Sequence, residues 1–256
     1  MRRRKIFLSE RLRLSDGVVV AWSAPSAGRR VLMIPGLGGD RGCWGRLPRV
    51  MEAAGLAPVL FDPRGLGGSS RGSSPLTIEL LASDACEIFQ QVGPCAVLGW
   101  SMGASVAFEL ACRVQEKVPL VFLASSLSQA PKPGTSLDRL LHCSSGEWGT
   151  FLMKALAFDG ASGSAELGGT GAVLEEYRQA LLRWTFRPQR ASALRGPALF
   201  LAGRDDGLVS PSEVERTAKM IPGSRYLCVK GGHGFFYRHP EETARAMSDF
   251  LAESDG

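Results

Sequence analysis

The chain has 256 residues, 45% of them apolar and 21% charged, enough to bury a substantial core as one domain with an insertion. Its formal net charge of +5 comes from scattered arginines, gathered only at residues 2–5 and loosely at 178–195. No basic stripe is interleaved with aromatics, which argues against a nucleic-acid partner. No apolar run approaches the ~18 residues needed to cross a bilayer, and the basic start runs into residues 6–11 without an apolar signal region. Six cysteines are dispersed without CxxC pairing, so buried free thiols are expected rather than disulfides or a zinc site. A cytoplasmic protein with no membrane partner and no metal is the expectation.

In chain order, apolar runs bounded by turn residues predict strands at 18–22, at 30–34 and at the end of 55–62. A helix follows at 76–92, a buried strand at 95–98, a helix at 102–114 and a strand at 118–124. Later come strands at 198–202 and 226–229, with helices at 213–220 and 241–252. Strands alternating with helices imply a mostly parallel sheet covered on both faces, an α/β protein. Between 125 and 197 the rhythm breaks. Helical patterns at 136–142, 148–158 and 172–186 come without a strand, in a segment too long for an ordinary connection. Its aromatic and aliphatic content favours a small packed subdomain over a disordered insert, with the Gly/Ser/Ala-rich stretch 159–171 as a flexible loop.

The stretch "AVLGWSMGA" at 96–104 is a buried strand that runs straight into Gly-x-Ser-x-Gly and then a helix. Such a turn is tight. Glycine is needed on both sides of the serine because a larger side chain would meet the neighbouring strand or helix. Ser101 then projects at a helix N-terminus, where developing negative charge is favoured. A serine hydroxyl is a poor nucleophile at neutral pH and needs a base oriented by an acid.

Three histidines exist. His233, in "VKGGHGFF" after the last strand, is the candidate base; His142 and His239 are left for structural or substrate-facing roles. The loop after strand 198–202 offers Asp205 and Asp206 as the acid, and no carboxylate follows the preceding strand. The order Ser, Asp, His is the one expected of this architecture. An oxyanion needs two backbone N–H donors. Met102 supplies one, and Leu37, in the Gly-rich turn "VLMIPGLGGD", is the candidate for the other.

Together these motifs resemble the α/β-hydrolase fold superfamily, over nearly the whole chain. "MIPGLGGDRGCW" resembles the loop written HGxGG…W, "FDPRGLGGSS" the DxRGxGxS segment and "GWSMGA" the nucleophile elbow. "GRDDGLVSP" resembles GxxDxxVxP and puts Asp206 on the acid, while "GGHGFFYRHPEE" puts His233 on the base. Two positions depart from the pattern. Pro35 stands where many relatives have His, stiffening the oxyanion turn, and Leu66 replaces the His of RGHG, implying a more apolar wall near the mouth.

The resemblance implies an α/β-hydrolase core at 1–127 and 192–256, with residues 128–191 as a helical cap. Trp148, Leu152, Met153, Leu156, Phe158, Trp184 and Phe186 are then roof candidates or packing residues. Substrate contacts are expected from Trp100, Trp148, Met153, Phe158 and Trp184. The implied activity is that of a cofactor-free serine hydrolase acting on a small ester, lactone or thioester. The chain is similar to the carboxylesterases that demethylate a pimeloyl carrier-protein ester and to 3-oxoadipate enol-lactonases. Arg139, Arg178, Arg183, Arg187 and Arg190 read either as a solvated cationic face or as a contact for an acidic acyl carrier protein. The same scaffold also hosts cofactor-free lyases, cyclases and carbon–carbon hydrolases, and non-catalytic binders that have lost part of the triad.

Overall fold

The computed structural model describes residues 10–23, 27–114, 116–127, 133–143, 147 and 169–254. Strands β1 (Glu10–Arg13), β2 (Val19–Ser23), β3 (Arg29–Ile34), β4 (Leu56–Phe61), β5 (Ala96–Trp100), β6 (Leu120–Leu123), β7 (Ala198–Gly203) and β8 (Arg225–Val229) form one sheet. Their order is β1-β2-β4-β3-β5-β6-β7-β8. β2 pairs antiparallel with β1 and β4, and every pairing from β4 to β8 is parallel. β4, β5, β6 and β7 are buried at every residue, as parallel strands covered on both faces must be.

The helices are α1 (Leu47–Ala53), α2 (Ile78–Val92), α3 (Met102–Ala111), α4 (Ser136–His142), α5 (Gly171–Arg183), α6 (Pro211–Met220), α7 (Phe235–Arg238) and α8 (Pro240–Glu253). α2 packs against α3, and α1 against α8. Their ends are set by local chemistry. The Thr77 hydroxyl accepts from Leu80 N at 3.0 Å to start α2, and Gly93, at φ 82°, ends it. α6 opens on a capping box between Ser210 and Glu213.

Because β3 and β5–β8 run parallel, their C-terminal ends share one edge of the sheet, where open α/β sheets place their sites. Register keeps those ends level: Ile34 lies beside Gly99, Trp100 beside Leu123 and Gly203 beside Val229. Between β6 and β7 the described residues hold α4, α5 and a 3-10 helix at Pro188–Ala193. The helix expected at 148–158 lies outside the described residues. The one expected at 172–186 stops at Arg183, after which the backbone is extended at Trp184.

The thiol expectation needs one correction. All six cysteines are free, but only Cys43 is fully buried and Cys228 is exposed, on the edge strand β8. Burial pushes the Cys95 thiol up to about 12 and the Cys112 thiol up to about 11, so neither offers a thiolate nucleophile at neutral pH. Among the described residues, no helix is long and apolar enough to cross a membrane.

Candidate active site

β5 ends at Trp100, α3 begins at Met102, and Ser101 makes the whole turn at φ 54°, ψ −119°. The crowding around it explains both glycines. A Cβ on Gly99 would lie 2.4 Å from Gly103 O, and one on Gly103 would lie 2.2 Å from Ile34 O and 2.4 Å from Pro35 O. Side chains are shut out by main chain on either side. A serine held at positive φ carries strain that the surrounding packing must impose.

The loop after β8 approaches equally closely, since a Cβ on Gly203 would meet Gly232 O at 2.1 Å. His233 follows, 3% exposed, its carbonyl accepting from Trp100 Nε1 at 3.0 Å. Its Nε2 lies 2.9 Å from Ser101 Oγ, and its Nδ1 lies 2.9 Å from Asp206 Oδ2. Asp206 is 7% exposed, and its other oxygen accepts from the amides of Leu208 at 2.8 Å and Val209 at 3.0 Å. A carboxylate facing Nδ1 keeps the proton there and leaves the Nε2 lone pair to accept the serine hydroxyl. Asp205 is exposed and only its backbone joins the site, its amide donating to Gly231 O at 2.9 Å. Of the other histidines, His239 ends α7 and accepts from Thr243 Oγ1 through its carbonyl. His142, by contrast, reaches the site, lining the cavity beside Ser101.

The loop after β3 lies against the turn. A Cβ on Gly36 would sit 3.4 Å from Ser101 Cβ. The amides of Leu37 and Met102 donate to no described residue. Beyond them, the buried Asp62 ties this loop to the next, accepting from Arg41 N at 2.9 Å and Gly68 N at 2.8 Å. Arg64, 1% exposed, is clamped by Asp84. The "FDPRGLGGSS" segment is therefore a brace for the loops, and Leu66 is fully buried rather than at the mouth.

A cavity of about 270 Å³ opens above Ser101. Trp184 and Phe186 line it, with Leu137 and Leu141 from α4 and Leu181 and Leu182 from α5. Trp100 does not line it. Its indole is buried behind the turn, edge-on to Phe236 at 5.0 Å and near Trp44 at 6.1 Å, where it supports the His233 loop. Trp148, Leu152, Met153, Leu156 and Phe158 lie outside the described residues. Two features had no motif to announce them. Ser105, Ser125 and Ser126 bring hydroxyls to the cavity. Glu109, 2% exposed on α3, accepts from Trp184 Nε1 at 3.0 Å and from Arg190 Nη1.

Residues 31–246 match the alpha/beta hydrolase family, and the chain belongs to it. A pimeloyl-[acyl-carrier protein] methyl ester esterase from Stenotrophomonas maltophilia is 27% identical over 219 residues, covering 75% of this chain and 82% of that one. The polyketide synthase ThaQ from Burkholderia thailandensis is 28% identical over 272 residues, covering 96% of this chain but only 13% of that protein's length. An esterase from Exiguobacterium antarcticum superposes with a TM-score of 0.81 at 18% identity, covering 96% of this chain and all of that one, and so speaks for the fold.

Proposed function

We propose that the chain is a serine hydrolase that cleaves a carboxylic ester or thioester of an acyl metabolite through an acyl-enzyme. The observation that carries this reading is the unbroken hydrogen-bonded line from Ser101 through His233 to Asp206. Ser101 Oγ attacks the acyl carbon as its proton passes to His233 Nε2, and Asp206 steadies the imidazolium that results. The amides of Leu37 and Met102 receive the negative oxygen of the tetrahedral intermediate. His233 returns the proton to the departing alcohol or thiol, leaving an acyl-serine. Water, deprotonated by the same nitrogen, then attacks the acyl carbon, and Ser101 leaves with the proton. The reaction asks for no cofactor.

In this reading residues 128–191 cap a core made of 1–127 and 192–256. The cavity residues from α4 and α5, which roof Ser101, support that division. A carrier-protein substrate is the finer reading, suggested by the Stenotrophomonas relative. Arg178 pairs with Glu175 and Arg190 with Glu109, which leaves Arg139, whose guanidinium donates only to the Gly134 carbonyl, and the exposed Arg183 and Arg187 as the members of this group with no carboxylate partner among the described residues.

A fluorophosphonate probe tests the nucleophile. The parent is expected to be labelled and to hydrolyse acyl esters, and Ser101→Ala to lose both while keeping its circular-dichroism spectrum. Labelling that persists in Ser101→Ala, or a folded parent that takes no label, overturns the assignment.

A further inference from the structure

The cavity above Ser101 has a mixed lining in which three serine residues besides Ser101 come from the core side. α4 and α5 supply four leucines and His142, whereas the core side places Ser105 on α3 and Ser125 and Ser126 just after β6 among Met102, Leu127 and Val209. Ser105 is 3% exposed and Ser125 is 7% exposed, and none of the three hydroxyls makes a hydrogen bond to a described residue. Local partners exist in principle. Thr217 and Thr243 donate to the carbonyls four residues back, at 3.1 Å and 2.9 Å. Ser105 has the carbonyl of Ser101 at the same spacing and does not use it. Ser105 lines the cavity, and its oxygen is not among the enclosed unpartnered atoms.

The backbone adds a second, independent sign. Among the described residues, two that are not glycine have φ in the left-handed region, Ser101 at 54° and Ala124 at 49°. Both line this cavity. The bend at Ala124 ends β6 and lets the next three residues all face the same space. Strain of this kind persists at sites that use the geometry it creates.

These residues are nearly buried, yet their oxygens are not among the enclosed unpartnered atoms, so each hydroxyl is satisfied by whatever fills the space beside it. A plain hydrocarbon chain would strip these oxygens of hydration and return nothing. A chain bearing its own oxygens would replace what it displaces. Ser105 stands one helical turn beyond Ser101, ~6 Å along the axis, a distance spanned by the first few carbons past an acyl carbonyl.

We infer that the acyl group of the substrate carries hydroxyl or keto oxygens within the first few carbons of its carbonyl, read by Ser105 and Ser125, with the leucines of α4 and α5 packing its hydrocarbon side. The inference rests on the acyl-serine reading above. It is tested with the N-acetylcysteamine thioesters of hexanoic, β-hydroxyhexanoic and δ-hydroxyhexanoic acids. At least one hydroxyacyl thioester is expected to show a kcat/KM about 10-fold above hexanoyl. In Ser105→Ala combined with Ser125→Ala that ratio should fall to within about twofold of unity. Equal or better use of hexanoyl overturns the inference alone, as does a preference that survives the double substitution. A folded parent that hydrolyses none of the three overturns the hydrolase reading and the inference together.

Discussion

The turn around Ser101 leaves so little room that one added carbon should be felt at the reaction centre. In Gly103→Ala the new Cβ would lie 2.2 Å from Ile34 O and 2.4 Å from Pro35 O, both main-chain atoms. An acceptable carbon–oxygen contact is about 3.3 Å, so the end of β3 must draw back from α3 by about 1 Å. The segment that moves leads directly into Gly36 and Leu37, and Gly36 packs on Ser101. The amide of Leu37 therefore shifts relative to Ser101 by a comparable amount. A misplacement of about 1 Å costs on the order of 100-fold in rate, and losing one oxyanion donor outright costs about 100- to 1,000-fold in kcat. Overpacking should also destabilise the fold by about 1–3 kcal/mol, partly offset by the better helix propensity of alanine, about 1 kcal/mol. The expected phenotype is a kcat for a p-nitrophenyl ester lowered about 100-fold, with Tm lower by a few degrees. Gly171→Ala is the control, since a Cβ there meets nothing within 4 Å. A Gly103→Ala enzyme with parental kcat would refute the link between this contact and the oxyanion loop.

Two further outcomes separate neighbouring explanations. Asp206→Asn should retain the acceptor for the amides of Leu208 and Val209 yet lose the charge facing His233, lowering kcat by about 10,000-fold. Asp205→Asn, at an exposed side chain, should fall within about threefold of the parent, and steady-state kinetics that reversed the two would reassign the acid. Glu109→Ala removes the shared acceptor of Trp184 and Arg190. Because Arg190 is 39% exposed and rehydrates once released, the cost should fall below the 3–5 kcal/mol of a fully buried pair, at about 2–3 kcal/mol. A melt followed by circular dichroism should then show Tm lower by about 4–12 °C, and an unchanged Tm would deny Glu109 its role in anchoring α5 to α3.

The parts of the fold that were legible in the sequence are those where one physical demand dominates. β4 to β7 are buried on both faces, so each reads as an unbroken apolar run whatever its neighbours do. β1 escaped notice because its sequence, ERLR, has three exposed residues and one half-buried. It exists through its backbone ladder with β2, from Glu10 beside Trp22 to Arg13 beside Val19. A charged edge strand of this kind protects the sheet from pairing further, and it leaves no hydrophobic signature to find. The expected helix end near 186 ran too far for a related reason. Trp184 follows Leu181 by three and Phe186 follows Leu182 by four, which is helical spacing, but the chain is already extended at Trp184 and both rings meet the cavity and Phe108.

The site divides along the same line between residues restricted by chemistry and residues restricted only by place. Activating a hydroxyl demands a base such as an imidazole, and the chain has only three histidines to supply one. Asp205 and Asp206 are indistinguishable by type, and the motif spacing alone points to Asp206; the turn after β7 turns that carboxylate inward and the other to solvent. Trp100 is absent from the cavity lining because adjacency to Ser101 in the chain is not adjacency in space: successive positions at a strand end point to opposite sides, and its indole lies behind the turn. Ser105, Ser125 and Ser126 carried no signal at all, since a pocket wall needs only an oxygen at the right point and any serine supplies one. This division has a kinetic consequence. Exchange at Ser105 or Ser125 should change the ratio between substrates, whereas exchange at Gly103 should lower the turnover of every substrate alike, because only the second disturbs atoms common to all their transition states.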